Sequence, residues 1–124
     1  MTTVVDASVV LAWLQDEPGA DDAELLLMEG VIGASNWSEV LQKARQHGAH
    51  AGIVGRLLAS FGLTVAPVTA RDAEIAADLW RRGTVLSLAD RLCLGLAVRM
   101  NLQVATADAA WTDLEAGPQV VLIR

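Results

Sequence analysis

The sequence predicts an α/β fold in which a central parallel sheet of about five strands is flanked by helices on both faces. First, β-favouring residues run from Thr3 to Val5 directly before Asp6, which is typical of a central strand buried on both faces. Second, predicted strands and helices alternate along the chain, as in parallel sheets. Third, no repeat, linker or low-complexity segment interrupts this order, so we expect a single domain over residues 1–124.

Five short segments with strand-like composition end at turn or capping residues, which predicts five strands. These segments are residues 3–5, 31–34, 63–66, 103–106 and 120–123. The first is followed by Asp6 and then by an apolar run without charge until Asp16, and Pro67 stops the third.

Seven helices are predicted from apolar residues at helical spacing, with N-capping residues before them or glycines after them. They cover residues 8–15, 21–29, 36–47, 52–61, 69–80, 88–100 and 109–115. Asn36, Thr69 and Ser87 are the predicted N-caps. On the helix that Thr69 caps, one face is expected to be buried: Ala73, Ala76, Ala77 and Trp80.

Composition sets few limits on function. Hydrophobic residues make up 53% of the chain, and the single cysteine, Cys93, excludes an internal disulfide and fits a reducing compartment. No segment approaches the roughly 18 apolar residues of a membrane helix, and no leader precedes Asp6, so we expect a cytoplasmic protein without a membrane partner. The net charge of −6 argues against a nucleic-acid partner, but less so if several acids share one metal site.

Four acids occupy related places in this pattern. Asp6, Glu39 and Asp108 each follow a predicted strand at the start of a helix, and Asp90 lies in the first turn of the helix before the fourth strand. Parallel topology brings such positions to one edge of the sheet. Oxygen ligands without histidine or thiolate suit Mg²⁺ or Mn²⁺. A cation there would activate water against a phosphodiester, which predicts hydrolysis of that bond.

The same acids also have structural interpretations. Ser87 with Asp90, and Asn36 with Glu39, match the capping-box pattern. Glu39 is spaced to pair with Lys43, and Asp108 is placed to cap the helix that follows it. Asp6 is harder to explain in this way, because a buried carboxylate needs a partner.

Three further side chains are candidates near these acids. The hydroxyls of Ser8 and Thr106 either bond to nearby backbone or support the acids. Arg91, next to Asp90, either contacts phosphate or lies in solvent.

Four segments, residues 5–8, 37–41, 86–93 and 106–111, resemble the PIN-domain ribonucleases, and more narrowly the VapC-type toxins of bacterial toxin–antitoxin pairs. The resemblance implies a sheet of order 3-2-1-4-5 and Mg²⁺- or Mn²⁺-dependent endonucleolytic cleavage of RNA. Carried over by position, the metal-binding and catalytic residues are Asp6, Glu39, Asp90 and Asp108, with Thr106 and Ser8 in support. Family members often carry a basic residue after the fourth acid, where this chain has Ala109 and Ala110.

The resemblance also implies partners. Members of the family usually form homodimers, and a cognate antitoxin silences them by wrapping its C-terminal segment around the toxin and into the acidic pocket. The antitoxin also binds operator DNA. An alternative remains from a different class, a non-catalytic interaction module whose acidic pocket binds a basic partner peptide. Phosphotransfer domains fit less well, because Ser8 stands where phosphatases of that type need a second aspartate.

Overall fold

The computed structural model describes residues 2–124, so Met1, which the domain prediction includes, lies outside the described part. Its five strands are β1 (Thr3–Val5), β2 (Val31–Gly33), β3 (Thr64–Ala66), β4 (Gln103–Thr106) and β5 (Val120–Leu122). They form one sheet in the order β3-β2-β1-β4-β5, and all four pairs of neighbours are parallel. The predicted fold class and strand order are therefore confirmed.

Six α-helices surround the sheet: α1 (Ala7–Leu14), α2 (Ala20–Leu27), α3 (Ala34–Gln46), α4 (Ala51–Ser60), α5 (Ala70–Asp78) and α6 (Leu88–Met100). The seventh predicted helix is a short 3₁₀ helix, Ala109–Asp113. Two separate clusters of buried apolar side chains, one containing Val5 and the other Val4, cover the two faces of the sheet. Within residues 2–124, no helix is both long and apolar enough to cross a bilayer.

The central position of β1 explains why its end can carry a buried acid. Val4 and Val5 are completely buried, and the strand pairs with β2 on one side and β4 on the other. Its pairing continues one residue further, since the amide of Asp6 donates to the carbonyl of Ala105 at 3.0 Å. Asp6 therefore leaves the sheet at its carboxyl edge, the usual location of ligand sites in open parallel sheets.

The predicted buried face of α5 is mostly wrong. Of its four residues only Ala76 is buried, whereas Trp80 lies beyond the helix and is 51% exposed. The helix instead buries Asp72 with Ile75 and Ala76. The reason is a polar contact with α6, where Arg99 donates from Nε to Asp72 Oδ1 at 2.6 Å. Apolar periodicity does not report a contact of this kind.

A glycine makes the close approach of these two helices possible. A Cβ atom at Gly95 of α6 would lie 2.7 Å from the carbonyl oxygen of Asp72, inside van der Waals contact. Thr69 and Asp72 also form the predicted capping box at the start of α5. The buried face of α5 is thus set by one ion pair and one missing side chain.

Candidate functional site

The candidate site begins with the carboxylate of Asp6, which is 5% exposed. Asp6 occupies the N-cap position of α1, yet its side chain makes no capping hydrogen bond to that helix. Instead Oδ2 accepts hydrogen bonds from the hydroxyls of Ser8 at 2.7 Å and Thr106 at 3.0 Å. The acid is therefore held by neutral donors.

These two hydroxyls also connect Asp6 to the end of β4. Ser8 Oγ accepts the amide of Ala107 at 2.9 Å, and Thr106 Oγ1 accepts the amide of Asp108 at 3.1 Å. Ser8 thus bonds both to the acid and to a backbone amide that is distant in sequence, and its role in support of a metal site stays a prediction. The hydroxyls fix the loop that carries Asp108 relative to Asp6.

Asn36 was interpreted as the N-cap of the third helix, and this interpretation is wrong. The helix begins at Ala34, its N-cap position is Gly33, and the capping box with Glu39 does not form. Asn36 lies inside the first turn, completely buried, and its Nδ2 donates to Asp6 Oδ1 at 3.4 Å. Its Oδ1 finds no hydrogen-bond partner among residues 2–124.

Asn36 is the residue of the site that sequence reasoning assigned to another role. A buried asparagine three residues before a candidate acid lies on the same side of a helix as that acid. The spacing to Glu39 was visible in the sequence. That the Asn36 side chain points to the end of β1 was not visible, because it depends on where the helix begins.

The negative charge of a second acid, Asp90, acts on the carboxylate of Asp6. Burial raises the pKa of Asp6 above its ordinary 3.8, the two hydroxyl hydrogen bonds partly oppose this, and the charge of Asp90 raises it further. Burial also raises the pKa of the Cys93 thiol, and the charges of Asp6 and Asp90 add to that effect. The two acids therefore lie near the same part of α6, while Cys93 is a core thiol as expected.

The other contacts of Asp90, Glu39 and Asp108 are the capping and pairing contacts that their positions in the sequence predict. Asp90 and Ser87 form the predicted capping box, with Asp90 Oδ2 accepting the amide of Ser87 at 3.0 Å. Glu39 Oε1 lies 3.8 Å from Lys43 Nζ, and Asp108 Oδ1 accepts the amide of Ala110 at 3.0 Å. These contacts are exposed or half-buried and do not occupy every carboxylate oxygen.

Arg91 contacts the protein itself. Its Nη1 donates to the carbonyl of Ala76 on α5 at 2.9 Å, and its buried Nε has no partner within the described chain. The guanidinium therefore ties the start of α6 to α5. Its contact with phosphate stays a prediction.

The donor atoms are of the type that a hard divalent cation prefers, but their placement is less favourable. Within residues 2–124, no three carboxylate, histidine or cysteine side chains are grouped closely enough to hold a metal ion. The donors are nevertheless all oxygens, and Asn36 Oδ1 is a buried acceptor that has no partner in the described part of the chain. Mg²⁺ usually keeps several waters and binds through one or two carboxylates, so a closed protein cage is not required.

The fold of the chain is similar to that of several solved structures. A toxin–antitoxin complex from Klebsiella pneumoniae is 23% identical, with a TM-score of 0.76 and 98% of each chain covered. DNA-bound VapBC from Salmonella typhimurium is 17% identical, with a TM-score of 0.73 and full coverage of both chains. VapC20 of Mycobacterium tuberculosis, a toxin that cleaves the sarcin–ricin loop, is 15% identical, with a TM-score of 0.71, covering 95% of this chain and 100% of that one.

Together, the parallel sheet and the acids at its carboxyl edge define an α/β protein with a candidate acidic site. The model of the PIN domain matches residues 3–116. The chain therefore belongs to the PIN-domain family. No curated protein is close enough in sequence to count as a match.

Proposed function

We propose that this PIN-domain protein is a Mg²⁺- or Mn²⁺-dependent endoribonuclease and the toxin of a toxin–antitoxin pair. The observation that carries the proposal is the environment of Asp6. This carboxylate is buried at the carboxyl edge of the sheet, and none of its contacts among residues 2–124 is an ion pair with lysine, arginine or histidine. A buried anion near a second anion is costly unless a cation binds there.

In this proposal Asp6, Glu39, Asp90 and Asp108 supply the oxygen ligands, with Asp6 as the most firmly positioned of them. When bound, the cation would polarise a phosphoryl oxygen and lower the pKa of the attacking water. Ser8 and Thr106 hold one oxygen of Asp6, so the other, which faces Asn36, is presented to the site. The hydroxyl of Thr106 also sets the position of the Asp108 backbone.

The proposed partners are supported by similar solved structures and by the surface of the protein. Toxin–antitoxin complexes are among the similar structures, which supports a cognate antitoxin for this chain. We extend the proposal to a homodimer, because large apolar side chains such as Leu25, Ile53 and Val85 are more than half exposed. Since the proposed substrate is cellular RNA, we expect the protein to act in the cytoplasm.

The proposal is tested by incubating purified, antitoxin-free protein with total cellular RNA in Mn²⁺ or in EDTA, beside the Asp6→Asn variant. We expect wild-type protein to give discrete products in Mn²⁺ and none in EDTA. The Asp6→Asn variant should cleave about 10³-fold more slowly, since a catalytic cation is worth several kcal/mol. The matched control is Asp78→Asn, which changes an exposed aspartate on α5 and should cleave as wild type does. Intact RNA from well-folded wild-type protein would instead favour the interaction module that binds a basic peptide.

A further inference from the structure

We propose that a groove next to the acids binds the phosphodiester backbone of the RNA strand that is cut. We call it the basic groove and define it by Ser8, Lys43, His47 and Arg124. The inference rests on the proposed ribonuclease function and adds to it the residues that hold the substrate.

The basic groove has a volume of about 310 Å³, at the small end of the range of about 300–1,000 Å³ for ligand sites. It reaches the candidate acids at two points. The hydroxyl of Ser8 bonds to Asp6 at 2.7 Å, and Lys43 lies one helical turn after Glu39 and 3.8 Å from it. A strand lying in the groove would therefore continue directly into the site.

Three cationic or ionisable side chains from two distant parts of the chain line this groove. Lys43 and His47 come from α3 and the residue that ends it, and Arg124 follows β5. Arg124 is far from the other two in sequence, so only the fold brings these groups together. The amides of Gln15 and Gln46 and the carboxylate of Glu17 complete the polar lining.

The charged groups of the groove are held weakly enough to exchange their partners. Arg124 lies 3.7 Å from Glu17, and both side chains are more than a third exposed. Arg124 Nη1 also donates to the carbonyl of Pro18, in an exposed hydrogen bond of 3.4 Å. The Lys43 pair is at least as exposed. Exposed ion pairs contribute about 0–1 kcal/mol, so a phosphate replaces these carboxylates at little cost.

His47 offers a nitrogen to a ligand for a geometric reason. Its Nδ1 lies 2.8 Å from the carbonyl oxygen of Lys43, and a carbonyl only accepts, so Nδ1 carries the proton and donates it. This leaves Nε2 for the groove. With Nδ1 as the donor, Nε2 is an acceptor for a ribose 2′-hydroxyl.

Other cations are already committed to the protein. Arg81, Arg91 and Arg99 bond to acceptors of the chain itself, in the last case to the buried Asp72. After the fourth acid the chain has Ala109 and Ala110 in place of a basic residue. In a protein of net charge −6, the basic groove is thus a local source of phosphate-binding charge beside the acids.

The test is the salt dependence of RNA binding. The full chain carrying Asp6→Asn, which prevents cleavage, is titrated with short oligo-uridine at several salt concentrations. Adding Lys43→Gln and Arg124→Gln should weaken binding about fivefold per lost phosphate contact near 0.1 M salt, and lower the salt slope by about 0.7 for each. The matched control carries Arg56→Gln and Arg71→Gln, two exposed arginines outside the groove, and should bind as the parent does.

Three results would overturn the inference. The first is a groove variant that keeps the salt slope of its parent. The second is a control variant that loses as much affinity as the groove variant. The third is competition by polyglutamate that is as effective as competition by RNA, which would indicate an acidic protein segment as the occupant. A failure of the proposed function is distinguishable, because wild-type protein would then leave RNA intact with Mn²⁺ whatever the groove variant does to RNA binding.

Discussion

Asp6 and Asp72 are two aspartates at the starts of helices, 5% and 1% exposed, in opposite electrostatic surroundings. Asp72 accepts Nε and Nη2 of Arg99 together with the neutral amide of Thr69, so a cation compensates its charge. Among residues 2–124, Asp6 accepts only hydroxyl and amide groups, and the charge of Asp90 acts on it. Burial raises the pKa of both, but Arg99 and Thr69 lower that of Asp72 overall.

The difference separates a carboxylate that stabilises the fold from one that costs stability. A buried acid whose charge is compensated inside the chain has no need of a ligand. An acid that is hydrogen-bonded but not compensated is expected at functional sites, where the cost is kept for the sake of chemistry. Four predictions test this contrast.

The largest effect on stability is expected from Arg99→Met. Removing the half-exposed Arg99 leaves the buried carboxylate of Asp72 uncompensated, and we expect a loss of about 3 kcal/mol in the free energy of unfolding. Urea denaturation measures it, with Arg71→Met on the exposed side of α5 as the control. Unchanged stability would mean that the Thr69 cap alone satisfies Asp72.

Mn²⁺ should stabilise the wild-type protein against heat. A ligand at 100 times its dissociation constant contributes about 2.7 kcal/mol by mass action. Melting curves should show this shift in wild type and in Arg99→Met, but not in Asp6→Asn. If Asp6→Asn retained the whole shift, the cation would bind elsewhere.

Asn36→Leu should weaken Mn²⁺ binding by about 10–100-fold, the usual effect of losing a residue that orients a metal ligand. Without metal, the variant should melt lower than wild type, because leucine removes the Nδ2 donor to Asp6 Oδ1 together with the Oδ1 atom that has no partner among residues 2–124. Metal titration followed by calorimetry separates the two effects. Equal Mn²⁺ affinity would reduce Asn36 to a packing residue.

The smallest effect is a pH dependence. The pKa of Asp72 lies below its ordinary value of 3.8, so its stabilising contribution is present above pH 3.8 and is lost as the pH falls through the lowered pKa. The stability difference between wild type and Arg99→Met should therefore be constant near neutrality and shrink in acid. Denaturation at a series of pH values checks this, and a difference that grew in acid would contradict it.

Some of the site was predictable because it follows from local rules. The four acids were found from their place after strands or in a first helical turn, and Asp90 and Asp108 make the caps that their neighbours predict. Asn36 and the groove residue Arg124 were not assigned to the site. Their positions depend on where α3 begins and on how the end of the chain lies against α1 and α3, and neither follows from local pattern.

By itself, the sequence determined the alternation of elements, the parallel sheet and the position of Asp6 at the carboxyl end of β1. Apolar periodicity and capping residues act over a few positions, so they can be read without coordinates. Only the tertiary structure decided which buried aspartate is compensated. Arg99 lies 27 residues from Asp72, and whether two such charges meet depends on helix packing. That packing gave Asp72 a cation and left Asp6 among neutral donors, beside Asp90.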